Sequence, residues 1–159
     1  MEIREMREDD VDDVLEVIGR HDDDDIDAAQ AYFDVLFEDE EGMADRGDRH
    51  YVAVEADRIV AVGGVMPDEE EGRDIWWLAW FYVDPKHQHT GMGQALLDRG
   101  LAWARSQGGR KIYVDVSDYP TYDNARSFYA KNGFVEEGRL LEFYAPDEAC
   151  IFMGKRLTD

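Results

Sequence analysis

The stretch from Trp80 to Leu97, W-F-Y-V-D-P-K-H-Q-H-T-G-M-G-Q-A-L-L, sets the tightest limit on how this chain can fold. An apolar, aromatic run ends at Val83. Asp84-Pro85 stops it, because proline has no N–H to donate and turns the residue before it away from helix. A short polar loop follows, and then Gly91 and Gly93 open a segment with helical apolar spacing. The order is strand, tight loop, glycine-rich helix start. Such a start aims unpaired backbone N–H groups and the positive end of a helix dipole at one point, a ready site for phosphate. Glycine suits it, since without a Cβ it tolerates positive φ and lets a ligand approach the backbone closely. A bare strand–helix turn would use the same pattern, so the rest of the chain has to decide.

Taken from the start, Glu2 to Met6 reads as a short strand. Val11, Val14, Leu15 and Ile18 then recur at helical spacing on one face. The acidic run from His21 to Asp27 lacks the turn glycine and late glutamate of a calcium loop and reads as a solvated connection. Ala28, Ala31, Tyr32, Val35 and Leu36 share a second helix face, and Glu38 to Asp48 reads as loop. Arg49 to Val65 predicts a hairpin turning near Asp57, Pro67 to Asp74 the next turn, and Ile75 to Val83 a long strand. That strand carries Trp76, Trp77 and Trp80, spaced so that both sheet faces receive an indole. A helix over Gly91–Gln107 leads to a strand over Lys111–Ser117. The unit is βαβ, which predicts a parallel strand pair and a right-handed crossover. A helix over Asn124–Lys131 and two last strands, Phe134–Ala145 and Ala149–Leu157, complete one α+β domain on a mixed sheet.

Composition narrows the partners. The 159 residues suit a single domain, and 44% hydrophobic content supports a folded core. The net charge of −21 repels nucleic acid and anionic membranes. No apolar run reaches the roughly 18 residues of a membrane span, and the first ten residues hold no apolar signal-peptide core; a cytoplasmic location is expected. The single cysteine, Cys150, has neither a disulfide partner nor metal-site companions. Four lysines stand against thirteen arginines. An acidic, lysine-poor surface suits high salt, where the screening length falls to about 3 Å at 1 M, so a halophilic source is one expectation and charge matched to a cationic substrate the other.

Two motifs resemble those of the GNAT (Gcn5-related) N-acetyltransferases. The first is Gln88-x-x-Gly91-x-Gly93, similar to that family's acyl-CoA-binding loop. The second is A-R-S-F-Y-A-K-N-G-F, Ala125 to Phe134, similar to its tyrosine-bearing helix and glycine–aromatic strand entry. The resemblance covers nearly the whole chain. It implies an acyl-CoA N-acyltransferase fold: a central mixed, mostly antiparallel sheet of six to seven strands, splayed between its fourth and fifth strands, flanked by about four helices. It implies acetyl-CoA as cosubstrate and no metal, with a small-molecule or peptide amine as acceptor; homodimerisation is compatible with the family.

Residue by residue, the resemblance places the backbone of Phe81, Tyr82 and Val83 on the pantetheine and acetyl carbonyl, and Gln88, His89, Thr90, Gly91, Met92, Gly93 and Gln94 around the pyrophosphate. Lys86, His87 and His89 supply local positive charge; two histidines without a third ligand are weak grounds for a metal. Tyr129 matches the tyrosine that protonates the departing thiolate. Relatives often carry a glutamate late in the fourth strand, where this chain has Ala79 and Trp80. Asp115, on the next strand, is the expected base, directly or through water; the alternative is a carboxylate that orders the neighbouring loop. Many relatives also place asparagine seven residues before the tyrosine. Tyr122 stands there, and Asn124 either reaches the cofactor or caps its helix. A catalytically weak CoA-binding regulatory domain of the same fold is the alternative function.

Overall fold

The computed structural model describes residues 1–38 and 47–158. Its strands are β1 (Glu2–Glu5), β2 (Arg49–Glu55), β3 (Arg58–Asp68), β4 (Gly72–Val83), β5 (Lys111–Ser117), β6 (Val135–Ala145) and β7 (Glu148–Arg156). They form one seven-stranded sheet in the order β1-β2-β3-β4-β5-β7-β6. Every neighbouring pair is antiparallel except β4 and β5. The described helices are α1 (Val11–Gly19), α2 (Ile26–Glu38), α3 (Met92–Ser106) and α4 (Asp123–Lys131). This is the expected mixed α+β architecture. Most of the loop read over Glu38–Asp48 lies outside the described residues. No described helix is long and apolar enough to cross a membrane.

Two apolar layers hold the sheet. On one face, α1 buries Val14, Val17 and Ile18 and α2 buries Ala29 and Phe33, against Val52 and Val62. On the other, α3 sets Leu97, Leu101 and Ala104 against Val65, Trp76 and Ile112, and Tyr129 of α4 joins the same layer. Each large side chain removed from water here contributes roughly 1.5–3 kcal/mol.

Local chemistry shapes the hairpins. Between β2 and β3 the turn residues Ala56 and Asp57 have φ of 49° and 60°, the mirror-image turn whose twist matches the flanking strands. Between β3 and β4 the structure corrects the predicted turn. Pro67 stays in the strand opposite Trp76, and only residues 69–71 turn. The Asp68 carboxylate accepts from the amides of Glu70 and Glu71 at 3.0 and 3.1 Å and from the Trp77 indole at 2.8 Å, which places the turn after Asp68.

The centre of the sheet is irregular in two ways. The parallel β4–β5 ladder holds only Ile75–Lys111, Trp76–Ile112 and Trp77–Tyr113, after which the strands part. Beside it, the β3–β4 register shifts between Val62–Tyr82 and Gly64–Ala79, and Trp80 takes a φ of 51°. A residue held there costs of order 1–3 kcal/mol that the surroundings must offset. This bulge reverses the alternation. Phe81 and Val83 join the α3 layer, while Trp80 and Tyr82 pack with the α1–α2 layer. Both faces thus receive an indole, as the spacing predicts: Trp76 under α3, and Trp80 against Tyr32 and Phe33 of α2.

Candidate active site

The site is built where β4 and β5 separate. Beyond Trp77, the paired residues of β4 (Leu78, Ala79, Tyr82 and Val83) have ladder partners on the β3 side only, and beyond Tyr113 residues 114–117 have them on the β7 side only. Backbone groups in such a position need acceptors and donors from elsewhere, so an extended, amide-bearing ligand fits between the strands.

Asp84 anchors the loop that follows β4. Its carboxylate caps the turn Pro85–His87 by accepting from the Lys86 amide at 2.9 Å, and it pairs with Arg20 at the end of α1. Its own amide donates to the Val60 carbonyl at 2.8 Å. The Lys86 amide first, and then Arg20, hold the carboxyl below its ordinary range against the opposing effect of burial. His87 is occupied by Glu55, 2.9 Å away, whereas His89 is exposed. The Thr90 hydroxyl donates to the His87 carbonyl and closes the loop on itself. Gly91 then enters α3 with a φ of 86° and no side-chain cap, so the amides of Met92, Gly93 and Gln94 face outward without an intrahelical partner.

The residues matched to the cofactor loop therefore contribute in different ways. Met92 is buried in the core beside Tyr51 and Ala53 and offers only its amide. Gln94 ties its side chain to Asp98 at 2.9 Å and to Asn132 of the α4 terminus at 2.8 Å. Gln88 reaches the Val83 carbonyl at 3.5 Å. At Gly93 a Cβ would meet Val83 and Phe128 no closer than 3.6 Å. The protein itself has room for a side chain there, so close ligand approach is the remaining reason for glycine. Asn124 lies exposed in the first turn of α4, whose cap position is held by Tyr122, and it makes no cap.

Tyr129 projects from α4 into the same separation. It is 6% exposed, its ring ringed by Phe81, Phe128 and Phe134. Its hydroxyl makes no hydrogen bond among the described residues. Burial, and secondarily the charge of Asp115, push its pKa up, so the proton stays on the oxygen and the group remains a donor. Asp115 is exposed on β5, on the face that Tyr113 and Ser117 share. It accepts a hydrogen bond from Tyr144 of β6 at 3.3 Å.

The far side of the separation holds residues that spacing did not reveal. The acidic run read as a solvated connection instead docks on the end of β4. Asp22 caps a 3-10 turn at Asp23–Asp25. Asp25 accepts from the Tyr82 hydroxyl at 2.5 Å, and His21 Nε2 lies 2.5 Å from the Val83 carbonyl. Tyr122 is half-buried between this turn and the start of β7. Its pKa is raised by burial and then by Asp22, Asp25 and Glu148. Acids from two distant segments thus converge near the cleft. Among the described residues no group of three or more His, Cys, Asp or Glu side chains is placed to hold a metal ion.

His50 of β2 lies below the bulge. It is fully buried between Tyr32 and Phe33, with neither ring nitrogen hydrogen-bonded among the described residues, and burial lowers its pKa to about 3. Gly64 makes room for the ring: a Cβ there would sit 2.1 Å from it.

Residues 46–136 match the model of the acetyltransferase (GNAT) domain. N-acetyltransferase 8B of Rattus norvegicus is 27% identical over 118 residues, which cover 73% of this chain and 50% of that protein. The chain spans about half the length of the curated relatives it matches. A crystal structure assigned to the GNAT family, from Desulfovibrio desulfuricans, superposes with a TM-score of 0.87 at 26% identity, covering 99% of both chains. The fold is also that of an aminoglycoside 6'-N-acetyltransferase crystallised with coenzyme A, with a TM-score of 0.73 at 19% identity, covering 100% of this chain and 98% of that one.

Proposed function

The chain belongs to the GNAT acetyltransferase family, and on that premise we propose that it transfers the acetyl group of acetyl-CoA directly to a primary amine. The observation that carries the proposal is the early end of the β4–β5 ladder at Trp77–Tyr113, beside a helix start of free amides. The released backbone of Phe81–Val83 takes the pantetheine arm. The amides of Gly91–Gln94 take the pyrophosphate, with the exposed His89 beside them. These are dipoles, not net charges, so a protein of net charge −21 can still hold an anionic cosubstrate.

Asp115 takes a proton from the acceptor ammonium, directly or through water. The amine nitrogen then bonds to the thioester carbon, the carbon–sulfur bond breaks, Tyr129 donates to the departing sulfur, and the second proton shed by the nitrogen as it becomes an amide restores the Tyr129 hydroxyl. The products are an amide and the free thiol of CoA, with one proton released overall. The converging carboxylates of Asp22, Asp25 and Glu148, among tyrosine rings, favour a cationic acceptor.

The test is release of free CoA thiol with a panel of amines (aminoglycosides, polyamines, lysine peptides) in molar KCl. Thiol release with any of them supports the reading. A second reading is favoured by one observation, the absence of a carboxylate at Ala79 and Trp80: a domain that binds CoA without turning it over. It would show a CoA-induced rise in Tm and no thiol release. A single-domain, cytoplasmic protein adapted to salt completes the proposal.

A further inference from the structure

We propose that Tyr144 is a positioning residue, whose hydroxyl holds the Asp115 carboxylate in its working orientation. The inference rests on the reading of Asp115 as the base. Asp115 stands on an open sheet face, where a carboxylate has several rotamers of similar energy. One donor is directed at it: Tyr144 Oη, 3.3 Å from Oδ2. The same hydroxyl lies 3.5 Å from Cys150 Sγ on β7, so it is fixed between β5 and β7.

The backbone of β6 is built to deliver that hydroxyl. Between the pairs Leu140–Cys150 and Ala145–Glu148, β6 advances five residues while β7 advances two. Within the excess, Glu142 takes a φ of 55°. A bulge of this kind re-aims a side chain, and here it brings Tyr144 over β7 to a residue on β5. Phe143 braces the tyrosine edge-on, with ring centroids 4.9 Å apart. The same inserted residues leave Leu141 and Phe143 exposed. A hydroxyl bonded to one carboxylate oxygen leaves the second free for the amine proton.

Two measurements test it. The first needs no acceptor: the 13Cγ resonance of Asp115, identified by its loss in Asp115→Asn, is followed at pH 7. Tyr144→Phe should move it and leave the other aspartate resonances in place; an unmoved Asp115 signal overturns the contact. The second uses the amine that gives most thiol release in the panel above. Tyr144→Phe should lower kcat about tenfold while the KM for acetyl-CoA changes less than about twofold, and in the Asp115→Asn background it should cost nothing further. An equal loss in both backgrounds would place the action of Tyr144 elsewhere and overturn the proposal. Full kcat in Asp115→Asn alone would instead remove the base reading, and this inference with it.

Discussion

The two sides of the cleft are made of different material. On the proposed reading the cofactor side is one continuous stretch, Phe81 to Gln94, working largely through backbone: a released strand, a capped turn and a helix start. The acceptor side is assembled from side chains of distant segments, with His21 and Asp25 before α2, Tyr122 before α4, Asp115 on β5 and Tyr144 on β6. Backbone recognition tolerates sequence change provided the path of the chain is kept. Side-chain recognition does not, because each partner comes from a different element. On that reading donor specificity is tied to the fold, and acceptor specificity to a handful of replaceable residues.

Perturbing one side at a time should separate these contributions. Tyr129→Phe, at the junction, should lower kcat about a hundredfold, within the usual range for loss of a general acid, with acetyl-CoA binding by calorimetry nearly unchanged; a normal kcat would remove the tyrosine from the chemistry.

Acid should act on the sheet beneath the bulge that both sides share. Unfolded, His50 takes up a proton near its ordinary pKa of 6.5; folded, it does so only near 3. Below pH 6.5 the unfolded state therefore binds more protons, and stability falls with pH down to about 3. Between pH 7 and 5 the loss from this residue should be about 2 kcal/mol, readable by urea unfolding. A flat profile over that interval would show that the ring is not sealed from protons.

Gly91→Val strikes the cofactor side alone. A β-branched residue at φ 86° is strained by roughly 1–2 kcal/mol, and the KM for acetyl-CoA should rise about tenfold while the acceptor KM holds. Asp25→Asn is the converse and the mildest. It keeps an acceptor for the Tyr82 hydroxyl but removes a charge, so the acceptor KM should rise only about threefold, consistent with a partly exposed ion pair. An effect on acetyl-CoA instead would break the division between the two sides.

The same difference explains what was legible. Proline, glycine and apolar spacing write backbone events into local sequence, so the helix start at Gly91, the βαβ unit and the tyrosine helix could be read directly. That both faces receive an indole was legible from Trp76, Trp77 and Trp80, whereas the bulge that sends Trp80 to the face opposite Trp76 was not. The docking of Asp25 on Tyr82 was hidden because seven residues of mostly acidic loop look the same whether solvated or folded back. Tyr144 was hidden because period two on β6 fails at a bulge, and the added residues leave no compositional mark. Pro67 misled for a similar reason: a turn residue stayed in a strand because Asp68 closed the hairpin one step later.

The three-rung parallel ladder has a consequence for how this molecule meets other chains. A sheet that parts in its middle exposes two interior edges, and unpaired edges ordinarily invite a neighbouring strand and aggregation. Here β4 and β5 run free for only six and four residues beyond the last rung, and the helical layers stand over them. A folded neighbour is too thick to enter. A single flexible arm with amides along its length is not, so on the proposed reading the opening admits the cosubstrate's tether and turns away strangers.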